Sequence, residues 1–108
     1  MILVIGGAYQ GKQAYVAAHF GDKELVKNFH LFILDLVKND VNPLMYVKEN
    51  INKFQDKVII CDDISSGVVP VDATLRKWRE ELGRVLVWLA SVCEIVIRVF
   101  CGLGTRLR

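Results

Sequence analysis

A run near the start of the chain, Gly6-Gly7-Ala8-Tyr9-Gln10-Gly11-Lys12-Gln13, carries the spacing G-x-x-x-x-G-K. The chemistry of such a run is phosphate binding. Glycines let the backbone curl so that successive N–H groups face inward around an anion, and the N-terminus of a following helix adds its partial positive charge. Lys12 would reach the terminal phosphates of a nucleotide, ATP or GTP. Gln13 stands where a Ser or Thr hydroxyl normally holds Mg²⁺; an amide oxygen can ligate a metal too, but from a longer side chain that places it differently, so metal dependence should be weak.

Further along, Val58 to Cys61 runs into the adjacent carboxylates Asp62 and Asp63. Neighbours on a strand point to opposite sides, so only one of them faces the glycine loop. The histidines are His19 and His30, and covalent nucleotidyl transfer would need one of them exposed and aimed at an α-phosphate. Trp78 and Trp88 sit at apolar spacing and read as core or interface rather than as a platform for a base.

These groups must be positioned by a small α/β domain. Ile2–Ile5 is a short continuous apolar run, as in a strand covered on both faces, and it leads into the glycines. A helix is predicted from Gly11 to about Phe20, closed by Gly21 as its C-cap. Leu31–Leu34 reads as a second buried strand ending in Asp35. Pro43 suits the first turn of a helix running to about Phe54, with Leu44, Val47, Ile51 and Phe54 on one face. Val58–Cys61 is a third strand, Asp72 an N-cap for a long helix from Ala73 to Val92, Ile95–Cys101 a fourth strand, and Leu103–Leu107 a short fifth after Gly102. Strands alternating with helices imply βαβ units, a mostly parallel sheet of about four to five strands, and helices on both faces in three layers.

With 108 residues the chain makes one domain with no internal linker or repeat. The net charge of +2 is spread along it, which argues against nucleic acid; Arg98, Arg106 and Arg108 read as a solvated tail. Cys61, Cys93 and Cys101 lie in or beside apolar stretches with no C-x-x-C pair, and read as buried reduced thiols. The apolar run Val85–Cys93 falls well short of the roughly 18 residues of a membrane span, and the start lacks the basic region of a signal peptide, so no membrane and a cytoplasmic location are expected. A 53% apolar composition exceeds what one small core readily hides, and a homo-oligomer is the expectation.

Taken together, the chain resembles the adenosylcobinamide kinase/adenosylcobinamide-phosphate guanylyltransferase family, which has a P-loop NTPase fold. Met1–Ala8 with Gly11-Lys12 resembles the family's opening and its loop G-G-x-R-S-G-K-S. Asp63-Ile64-Ser65-Ser66-Gly67-Val68-Val69-Pro70 is similar to N-E-[VI]-G-x-G-[IV]-V-P. Leu75, Trp78-Arg79-Glu80, Gly83-Arg84-Val85 and Leu89-Ala90 resemble the final helix, L-x-R-x-[FW]-R-D-x-x-G-R-V-N-Q. The resemblance implies a P-loop NTPase-like three-layer sandwich, with Lys12 and Asp63 in catalysis, Asp35 at a strand end near the metal, and a cobinamide-like alcohol as phosphate acceptor. Departures fall on functional positions: Tyr9, Gln10 and Gln13 replace the loop's Arg and both Ser, and only about ten residues stand between Gly21 and Leu31, where the family has a longer segment carrying the guanylylated histidine. Neither His19 nor His30 lies in that context, and both read as surface or capping residues, so no guanylyl adduct is expected. Two classes of function follow: a nucleotide-dependent kinase, or a non-catalytic relative with a degenerate loop and an assembly or regulatory role.

Overall fold

The computed structural model describes residues 1–64 and 71–108. The stretch Gly67-Val68-Val69-Pro70, which carries part of the family resemblance, lies outside the described residues. The elements are β1 (Ile2–Gly6), α1 (Lys12–Phe20), β2 (Leu25–Val26), α2 (Phe29–Lys38), α3 (Pro43–Glu49), a 3₁₀ turn (Ile51–Phe54), β3 (Val58–Asp62), α4 (Ala73–Val92), β4 (Ile95–Phe100) and β5 (Leu103–Arg106). They form an α/β domain around one five-stranded mixed sheet in the order β2-β3-β1-β4-β5. All pairings are parallel except β4 with β5, which form an antiparallel hairpin.

Alternation along the strands divides the core into two layers. Ile2 and Val4 of β1, Val58 and Ile60 of β3, and Ile97 and Val99 of β4 pack with Val16 of α1 on one face. On the other, Leu3, Ile59, Cys61 and Val96 pack with Phe29 and Ile33 of α2, Val47 of α3, and Leu82, Val85 and Leu89 of α4. β1 and β3, at the centre of the sheet, are apolar up to their last residue because helices cover both sides of them.

Local signals start the helices on the second face. The Asn42 side chain accepts from the Met45 N–H at 3.1 Å with Pro43 following it, and the Asp72 carboxylate caps α4 by accepting from the Leu75 N–H at 3.1 Å. The helix expected to run from Pro43 to Phe54 instead breaks at Asn50, whose side-chain amide bonds back to the Tyr46 carbonyl, and continues only as the 3₁₀ turn. Gly21 closes α1 as its C-cap, as expected, in the right-handed region with φ −63°.

The second expected strand is overturned. Leu31–Leu34 is not a strand but the middle of α2. A four-residue apolar run has no period of its own; what decides here is the longer spacing of Phe29, Ile33 and Val37, buried at i, i+4 and i+8 on one helical face. The strand beside β3 at that edge of the sheet is β2, two residues long, which pairs Leu25 with Val58 and Val26 with Ile59. Asp35 therefore lies in a helix, exposed to solvent, and not at a strand end.

Candidate functional site

β1 lies between β3 and β4, and the chain runs from β1 outward to β2 on one side but from β3 across to β4 on the other. The strand order thus reverses beside β1, and in open parallel sheets the crevice at the carboxyl ends of the strands at such a point is where ligands bind. The loop Gly6–Gln13 occupies that point. A cleft of about 390 Å³ opens there, lined by Ala8 through Ala14, Asn28, Ile60 and Asp62.

The loop is held from two sides. Lys12, the first residue of α1, turns back under it, only 6% exposed, and donates from Nζ to the Gly7 carbonyl at 2.6 Å. From the far side the β4–β5 turn grips Gln10: the Gly102 N–H donates to its carbonyl at 2.7 Å and the Cys101 N–H to its side-chain Oε1 at 2.8 Å. Gly11 has φ +86°, and an added Cβ there would come within 3.2 Å of Gly102, so both the conformation and the close approach require glycine. At Gly6 an added Cβ would overlap the Val99 carbonyl oxygen of β4. Tyr9 and Gln10 do not fill the loop: the Tyr9 side chain is fully exposed and Gln10 is turned toward the hairpin.

The carboxylate that meets Lys12 is Asp62. Its Oδ1 lies 2.7 Å from Lys12 Nζ. Register explains the choice: Asp62 pairs with Gly6 across the sheet and follows Val58 and Ile60 on the face that α1 covers. Asp63 has the opposite parity. Its backbone N–H donates to the Gly6 carbonyl at 2.7 Å, and its side chain is not among those lining the cleft. Asp35 is likewise absent from the lining.

His30 is the residue that sequence reading placed wrongly. It is 7% exposed, not a surface group, and its Nδ1 accepts the Asp62 backbone N–H at 3.1 Å. Its Nε2 faces Asp62 Oδ2 at 3.5 Å, its carbonyl accepts the Trp78 indole N–H at 2.7 Å, and the two rings stack with centroids 6.4 Å apart. Asp62 is therefore fixed by an ammonium on one oxygen and an imidazole on backbone and side chain. The missed signal is the position of His30 one turn ahead of Ile33 on a helix, visible only once α2 is a helix. His19, by contrast, is exposed at the end of α1, bonded to the Tyr15 carbonyl and stacked on the Tyr15 ring.

Burial pulls the His30 pKa below 6.5, with Asp62 opposing and Lys12 adding to the shift. The unfolded chain therefore takes up a proton near pH 6.5 that the folded chain resists, so this residue contributes nothing above that pH and a growing penalty below it. The urea midpoint should fall more steeply between about pH 7.5 and about pH 5 for the wild type than for His30→Asn, whose side chain at this position does not titrate. Equal slopes would refute the assignment.

The cysteines are unbridged. Burial pushes the Cys61 thiol up to about 12 and raises Cys93 as well. Cys101, expected to be buried, is exposed in the β4–β5 turn with φ +50°. Among the described residues there is no cluster of three or more His, Cys, Asp or Glu able to hold a metal, and no helix long and apolar enough to cross a membrane.

No protein-family model matches the chain, and no curated protein sequence matches it.

Proposed function

We propose that the chain binds a nucleoside triphosphate, ATP or GTP, with its phosphates in the loop Gly6–Gln13, as a P-loop NTPase-like domain. The observation that carries this reading is Lys12, buried at the base of a glycine loop with its ammonium 2.6 Å from the Gly7 carbonyl and 2.7 Å from the Asp62 carboxylate. A buried ammonium between a loop carbonyl and a carboxylate is positioned to exchange those contacts for phosphate oxygens. The crossover of the chain beside β1 supports the same reading.

A resident metal does not fit these residues, but a metal carried in on phosphate does. Mg²⁺ commonly uses one or two carboxylates together with substrate phosphates and water, and Asp62 supplies one carboxylate at the cleft. When bound, Mg²⁺ neutralises charge on the β- and γ-oxygens. Gln13, exposed at the second residue of α1, replaces the usual hydroxyl, so the metal contributes less to affinity than in a Ser- or Thr-bearing loop. In the kinase reading Lys12 draws the γ-phosphate and Asp62, fixed by His30, orients the metal. The acceptor implied by the family resemblance is a cobinamide-like alcohol.

The test is titration with ATP and GTP, with and without Mg²⁺, followed by a phosphoryl-transfer assay with a cobinamide-type alcohol. Saturable nucleotide binding and a phosphorylated alcohol are expected. Nucleotide binding without transfer leaves a non-catalytic nucleotide-binding protein. No binding at about millimolar nucleotide overturns the proposal.

A further inference from the structure

We propose that Tyr9 is the platform on which the base of the bound nucleoside triphosphate stacks, so that the loop contacts the nucleoside as well as the phosphates. This rests on the nucleotide-binding reading above and assigns the end of the ligand that reading leaves unplaced.

Tyr9 combines two features that are each unfavourable for the protein on its own. Its φ is +61°, in the left-handed region where a bulky side chain is an outlier and costs of this kind concentrate at ligand sites. Its side chain is also completely exposed, at 104% of the reference value, so the ring gains no burial against the protein that would offset the strain. Glycine would serve the backbone better at this position.

The neighbouring residues show that this conformation is held and is not that of a loose tip. Gly7 is fixed through its carbonyl by Lys12, and Gln10 is fixed at its backbone and side chain by Gly102 and Cys101. Tyr9 lies between those anchors, presenting its ring at the edge of the cleft whose lining includes Lys12 and Asp62. A phosphate chain engaged by Lys12 leaves the base to be met near the rim, and the residue there is an aromatic ring on a braced loop. Stacking suits this position because every base offers a π-face, which predicts similar use of ATP and GTP.

The experiment compares ATP, GTP and inorganic tripolyphosphate as ligands of the wild type, Tyr9→Ala and Tyr9→Phe, with melting temperatures as the check on folding. Tyr9→Ala should weaken ATP and GTP by about 5- to 150-fold, the range for loss of one stacked base, and leave tripolyphosphate within about twofold. Tyr9→Phe should bind all three as the wild type does. Equal weakening of nucleotide and tripolyphosphate in Tyr9→Ala overturns the inference, because the residue then acts on the loop backbone. So does unchanged nucleotide binding, which leaves phosphate binding by the loop standing. A wild type that binds neither nucleotide nor tripolyphosphate overturns the phosphate-loop reading and this inference with it.

Discussion

Phe29→Ala should cost about 3–5 kcal/mol of stability, a large fraction of the roughly 5–15 kcal/mol that holds a domain of this kind together. Phe29 is fully buried as the first residue of α2, its ring edge-on to Phe54 at 6.0 Å and 5.9 Å from Phe32. Alanine there removes the ring contact of Phe29 with Phe54 of the 3₁₀ turn and empties part of the core between α2 and the sheet, and neighbouring side chains close such a gap only in part. Thermal denaturation should move down by on the order of 20 °C for a domain this small. The result separates two folds of the same sequence: with Leu31–Leu34 as a strand, Phe29 would lie in a connecting loop and its loss would move stability by about 0.5 kcal/mol or less. Because Phe29 stands between Asn28, which lines the cleft, and His30, which holds Asp62, the variant should also bind anions less well at temperatures where it is still folded.

Lys12→Ala should weaken nucleotide and tripolyphosphate binding alike, by about 10- to 150-fold, equivalent to the roughly 1.5–3 kcal/mol of a charge-assisted hydrogen bond. The equal effect on both ligands distinguishes this residue from Tyr9, whose loss should be felt by the nucleoside alone. Stability should fall much less than for Phe29→Ala. The partner left behind, Asp62, has a side chain 29% exposed and retains its contacts with His30, so it can recover hydration. Isothermal titration of the two variants side by side reads the difference. Unchanged tripolyphosphate binding in Lys12→Ala would mean that the loop holds phosphate without its lysine or does not hold it there.

The sequence by itself determined what is written in contiguous residues. β1, the glycine loop and α1 follow from one another within Ile2–Phe20, because an apolar run, a glycine turn and a helix start are local patterns with local causes. β3, β4 and α4 with its Asp72 cap were legible for the same reason, and so was the mostly parallel sheet they imply. Tertiary structure decided the rest. The two-residue strand β2 carries no pattern of its own and exists because β3 offers it an edge. Leu31–Leu34 has apolar content enough for either a strand or a helix, and packing of Phe29 and Ile33 against the sheet selects the helix. That choice moves Asp35 out to solvent and brings His30 in. The choice of Asp62 over Asp63 depends on which face of β3 is covered by α1, a relation between segments almost fifty residues apart that only the register of Gly6 against Asp62 fixes. A side chain's type can be read along the chain, but the face it presents, and so its partner, is set by the elements that pack on either side of it.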